Sequence, residues 1–121
     1  MEVIQMDSNR VERYRDARME VDFHSQTVWL DRAPVRLTRL EFQLLAMLIR
    51  NTGEIVPRDT LMLDVWGYGP DVHSRTMDVH LRRLRVKLGS YGRQHVETVF
   101  GLGYRLQPCF TEAGLSQAAG A

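Results

Sequence analysis

Hydrophobic and polar positions alternate over residues 19–23, continue in two short β-favouring runs, and switch to a helical period at Thr38. Met19, Val21 and Phe23 alternate with Glu20 and Asp22. The turn formers His24-Ser25-Gln26 follow, then the β-favouring run 27–30, a turn at Asp31-Arg32-Ala33-Pro34 and a third run at 35–37. Short, tightly joined runs of this kind predict an antiparallel meander with one apolar face. Residues 1–17 are polar and read as a linker or flexible arm, with only a weak pattern for a fourth strand. Thr38-x-x-Glu41 then has the form of a capping box, with Leu37 and Phe42 at the positions of a hydrophobic staple. In the helix that starts there, Leu40, Phe42, Leu44, Leu45, Met47, Leu48 and Ile49 surround most of the axis. This predicts a central buried element, ended by Asn51-Thr52-Gly53. Pro57 suits a first helical turn, and Leu61, Val65 and Trp66 recur at helical spacing until Gly67 stops a brief second helix.

The seven-residue loop 67–73 is longer than a plain helix-turn-helix requires. Ser74 is placed to cap a third helix running through Leu88 and closed by Gly89. Met77, Leu81, Leu84 and Leu88 fall within roughly 60° of arc and form its buried stripe. Arg75, Thr76, Val79, Arg82, Arg83 and Val86 share the opposite face, flanked by His80, Arg85 and Lys87. A major groove offers guanine O6 and N7 to a bidentate arginine and a thymine methyl to an apolar side chain, so this face suits base reading. Taken alone, the pattern fits a solvated basic helix equally well. Residues 96–100 and 104–107, joined through Gly101-Leu102-Gly103, read as a hairpin, and residues 108–121 as a flexible tail. The order of elements predicts an α+β winged helix-turn-helix: an N-terminal antiparallel sheet, three helices and a C-terminal β-hairpin wing, with the domain spanning 18–107.

Composition narrows the function classes. A chain of 121 residues with 44% hydrophobic and 26% charged residues is long enough for one packed domain. Its single cysteine, Cys109, makes no internal disulfide. No apolar run approaches a membrane span and the first 17 residues do not resemble a signal peptide, so a cytoplasmic protein without membrane association is expected. The net charge of +1 conceals an uneven distribution. Residues 74–93 carry six cations and one anion, a local +5 that points to a polyanion, with nucleic acid favoured over membrane. His73 and His80 are seven apart and have no nearby Cys or Glu to complete a zinc site; Gly101-x-Gly103 is too short for a dinucleotide fingerprint. No nucleophile–base–orienting triad suggests itself, so neither enzyme activity nor a metal or other cofactor is expected. Trp66 reads first as core packing, with its indole N–H available to a phosphate.

Several motifs in order and at matching spacing resemble the DNA-binding effector domain of OmpR/PhoB-type response regulators: Leu37-Thr38-x-x-Glu41-Phe42-x-Leu44-Leu45, Gly53-x-x-Val56, Val65-Trp66-Gly67, the run 75–88, and Thr98-Val99-x-Gly101-x-Gly103-Tyr104-Arg105. The resemblance covers about residues 18–107. It implies sequence-specific binding of double-stranded promoter DNA by a bacterial two-component, phosphorelay regulator, as a tandem dimer on direct repeats. It implies that Val79 and Arg83 touch bases and that Trp66, Arg75, Thr76, His80, Arg82, Arg85, Thr98 and Tyr104 touch the DNA backbone. The wing comprises Phe100, Gly101, Gly103 and Arg105, and loop 67–73, with Tyr68 and Asp71, corresponds to one presented to RNA polymerase. Two features depart from the family pattern. Phe100 stands where the wing often has a minor-groove arginine, leaving Arg105 as a distant substitute, and the chain has no room for a receiver domain, so that partner of a sensor kinase is expected to be missing or separate. The runner-up is a winged-helix module whose third helix docks on protein. RNA binding lacks a motif.

Overall fold

Five antiparallel strands form the N-terminal sheet in sequential order: β1 (Val3–Asp7), β2 (Arg10–Arg15), β3 (Met19–Asp22), β4 (Thr27–Leu30) and β5 (Ala33–Val35). The structure is a computed structural model that describes residues 3–7, 10–69 and 75–110. It divides into two compact units, Met1–Arg36 with Pro108–Ala121, and Leu37–Gln107.

In the first unit the expected meander is present and larger than the sequence pattern indicated. The register sets Tyr14, Val21, Val28 and Val35 side by side on successive strands, and Tyr14, Val21 and Val28 are buried. Residues directly opposite share a face, so this column is the apolar side of the sheet. The expectation of a linker or arm over 1–17 is therefore corrected: β1 and β2 lie in it, and Tyr14 anchors β2. Asp16 organises the next turn. Its buried carboxylate accepts the Tyr14 hydroxyl at 2.6 Å, the Arg18 and Met19 amides at 2.9 and 2.8 Å, and the Cys109 amide at 3.2 Å. Ala17 N–H donates to the Cys109 carbonyl, so residues 108–110 are pinned and the expected tail begins no earlier than residue 111, outside the described residues. Asp31 and Arg32, both with positive φ, make the two-residue turn from β4 to β5, the mirror-image turn that suits strand twist. Pro34 is tolerated because β5 is an edge strand.

In the second unit, α1 (Arg39–Arg50) starts at the capping box, with Thr38 Oγ1 accepting from Glu41 N and Glu41 Oε1 accepting from Thr38 N. Phe42, Leu44, Leu45, Leu48 and Ile49 are buried, as the all-round apolar pattern required, and α1 packs against α3 and β7. α2 (Arg58–Leu61) follows Pro57, which serves as N-cap, and runs on into a π-helical turn at Met62–Trp66 that ends at Gly67. α3 (Thr76–His95) buries Met77, Leu81, Leu84 and Leu88. Its regular helix closes at Gly89, as the sequence predicts, and a further short helical segment follows up to His95. Gly89 adopts φ 60° and ψ −132°, a region only glycine enters freely, and bends the axis before a further turn with Tyr91 and Gly92 buried. β6 (Val96–Val99) and β7 (Gly103–Leu106) form the wing. Val56 bridges to Tyr104 through N–H···O bonds of 2.7 and 3.0 Å, fixing the hairpin's base. Ser74, the expected cap, lies outside the described residues, as does Asp71; Arg75 is the N-cap and gives no side-chain bond.

Candidate nucleic-acid interface

Burying the leucine stripe of α3 turns its other face outward. Val79 is 41% and Val86 72% exposed, and Arg75, Arg82 and Arg83 are exposed as well. Among the described residues those three arginines make no ion pair or hydrogen bond with protein, so their charge is available. The face is less anionic than its sequence, because Asp78 is paired to Arg58 at 3.1 Å.

The flanking groups are engaged internally. Arg85 reaches across to the wing, donating from Nε to the Val96 carbonyl at 3.0 Å and from Nη2 to Thr98 Oγ1 at 2.7 Å, with Tyr104's ring 5.9 Å from its Cζ. Burial lowers its pKa from the usual arginine value, partly opposed by Tyr104. Lys87, read from sequence as a flank of the basic face, instead places Nζ 2.7 Å from the buried Glu41 carboxylate. His80 Nδ1 lies 2.8 Å from the Thr76 carbonyl and so carries the proton of that bond, and the ring meets Trp66 edge-on at 5.3 Å. Trp66 Nε1 is buried and has no partner among the described residues, so its N–H is less accessible to a phosphate than the sequence suggested. Thr76 is half-buried at the start of α3.

At the wing, Phe100 is 90% and Leu102 61% exposed. Arg105 is directly opposite Glu97 and bonded to it at 2.9 Å. That hydrogen bond lowers Glu97 and raises Arg105 from their ordinary pKa values. Arg105 is thus held to its cross-strand partner rather than extended as a substitute for the arginine absent at position 100. Tyr68 is half-buried. Sequence reasoning assigned the outward face of α3 correctly by period, but missed Glu41–Lys87, Arg58–Asp78 and the Arg85 clamp. These join residues 46, 20 and 11 to 13 apart, and no local pattern encodes them.

No helix among the described residues is long and apolar enough to cross a membrane. A winged helix with a cationic, valine-bearing third helix defines a class of nucleic-acid-binding fold. Within that class, the chain belongs to the family described as "Transcriptional regulatory protein, C terminal", which matches residues 32–106. It is 38% identical over 85 residues to the response regulator ArlR of Staphylococcus saprophyticus, covering 69% of this chain and 39% of that protein. It is 37% identical over 91 residues to the DNA-binding dual master transcriptional regulator RpaA of Synechocystis, covering 74% and 37%. The chain thus spans about two fifths of the length of these relatives. Among solved structures, it resembles the Klebsiella pneumoniae RstA DNA-binding domain in complex with the RstA box, with TM-score 0.73 and 28% identity over 80% of this chain and 98% of that one. The DNA-binding domain of CpxR from E. coli gives 0.70 and 26% over 79% and 96%.

Proposed function

We propose that this is the effector domain of a two-component response regulator that binds double-stranded promoter DNA and controls transcription, with α3 lying in the major groove. The observation that carries this is the outward face of α3, where Arg75, Arg82 and Arg83, exposed and without an ion pair among the described residues, surround exposed Val79. A guanidinium and a methyl-bearing side chain one turn apart match a guanine edge and a thymine methyl. Val79 and Arg83 read bases. Arg75, Thr76, His80, Arg82, Arg85, Thr98, Tyr104 and Trp66 meet the DNA backbone and set register. Trp66, whose buried indole N–H has no partner among the described residues, is the least accessible member of this set. Arg85 keeps donors to spare after its two internal bonds, because a guanidinium has five.

The test compares selected and random duplexes over a range of salt. Arg83→Ala is expected to cost about 1–3 kcal/mol on the selected site and to relax preference at one base pair, while Arg75→Ala weakens all sequences alike and flattens the salt slope by about 0.9. Equal losses for both variants on both DNAs would overturn the division. The domain works as a tandem pair on half-sites about 10–11 base pairs apart, which places both copies on one side of the duplex. Footprints without that phase would count against the pairing. Loop 67–73, including Tyr68 and Asp71, faces RNA polymerase, and a receiver domain answering to a sensor kinase governs the effector.

A further inference from the structure

The wing tip is an unusual surface for a protein that binds a polyanion. Turns are normally built from Gly, Asn, Asp, Ser and Pro. Here the turn between β6 and β7 carries Phe100 at 90% and Leu102 at 61% exposure on either side of Gly101. Neither the fold nor the cationic face of α3 accounts for two large apolar side chains held in water at one point. Their backing is stiff. Val56 bridges to Tyr104 below the tip, Gly103 lies so close to the Val56 carbonyl that a Cβ would overlap it, and Arg85 ties β6 to α3 through Val96 and Thr98.

That clamp also locates the tip. Phe100 is the first turn residue after β6, two residues beyond Thr98 and so at most about 7 Å along the chain from the residue that Arg85 of α3 holds. A helix about 10–12 Å across fills a major groove about 12 Å wide, so an element fixed to its flank meets a sugar-phosphate rail and then the neighbouring minor groove. We propose that Phe100, backed by Leu102, is an apolar wedge that enters that minor groove, partly unstacks one base step and bends the DNA. Inserted Phe and Leu side chains unstack and kink duplexes in this way. The wedge rests on the DNA-binding reading above and extends it to sequence preference. A neutral ring gains nothing from the negative potential of a narrow A-tract, whereas flexible TA and CA/TG steps open at least cost. The wing therefore selects deformable pyrimidine–purine steps instead of A-tracts.

The test uses the whole chain with duplexes it selects from a randomised pool, carrying a fluorescent adenine analogue at each step beside the α3 footprint. Wild-type protein is expected to brighten the analogue at one step, to bend the duplex in a fluorescence-transfer assay, and to prefer TA or CA there. Phe100→Ala is expected to abolish brightening and bend and to weaken binding by about tenfold. Phe100→Arg is expected to recover affinity without the bend, to steepen the salt slope by about 0.9 and to shift preference toward A-tracts. Because Phe100 is exposed, all variants should melt with the wild type. A Phe100→Ala protein with unchanged affinity and bend overturns the wedge. So does one that keeps single-site binding and bend but loses occupancy of the second half-site, which would assign the tip to a neighbouring copy. Absence of any salt-dependent duplex binding by the wild type would instead remove the DNA reading itself, and the wedge with it.

Discussion

Replacing Glu41 separates local capping from long-range positioning of α3. Its carboxylate is 1% exposed and accepts from Lys87 Nζ at 2.7 Å and Thr38 N at 2.9 Å. Loss of a charge-assisted bond costs about 1.5–3 kcal/mol and loss of half a capping box about 0.5–1. Lys87 is 37% exposed and can rehydrate, which keeps the total below that of a fully buried broken pair. Glu41→Ala should therefore destabilise by roughly 2–4 kcal/mol, a Tm lower by about 6–20 °C for a chain of this size. A double-mutant cycle with Lys87→Met should return a coupling of about 1–2 kcal/mol at neutral pH by urea unfolding. The pH dependence has a definite sign. Burial raises the Glu41 pKa, but the hydrogen bonds from Lys87 and Thr38 outweigh it and hold the carboxyl below its ordinary 4.5. A depressed folded-state pKa gives stabilisation that is complete above the unfolded value and is lost as pH falls through the folded one. The coupling should accordingly fade below pH 4.5. Coupling under about 0.3 kcal/mol, or equal coupling in acid and at neutrality, would refute the reasoning. Because Nζ of Lys87 is committed to Glu41, Lys87→Met should also leave the salt slope of DNA binding unchanged.

Two further outcomes follow from the packing. Gly103→Ala forces a Cβ into the Val56 carbonyl at φ 151° and should cost about 2–4 kcal/mol, with amide exchange quickening first in β6 and β7. An unaltered exchange pattern would show that the wing does not depend on that close approach. Asp16→Ala strands the buried Met19 and Cys109 amides and should cost about 3 kcal/mol, exposing Cys109 to thiol reagents; a Cys109 that stays unreactive would mean that residues 108–110 are held by other contacts.

Legibility in the sequence followed the range of the interactions. The capping box, the leucine stripe and the strand alternation are signals spanning two to eleven residues, and each element they mark is present. The arm pattern hides β2 because its apolar positions, Val11 and Tyr14, do not alternate, and the value of Tyr14 lies in the register column with Val21 and Val28 rather than in its own neighbourhood. Gly89 ends the regular helix as its local signature indicates, whereas the further helical turn beyond it, with Tyr91 and Gly92 buried, has no local signal of its own. The same limit governs the interface. Six cations in residues 74–93 look equivalent in sequence, yet tertiary partners divide them: Lys87 is paired with Glu41, Arg85 is tied to the wing through two of its five donors, and Arg75, Arg82, Arg83 and Arg93 are exposed with no ion pair among the described residues. Charge counted along a chain therefore overstates what a partner feels. The working field of α3 comes from exposed, unpaired guanidinium groups, and their positions, more than the local +5, determine which phosphates and bases the helix can reach.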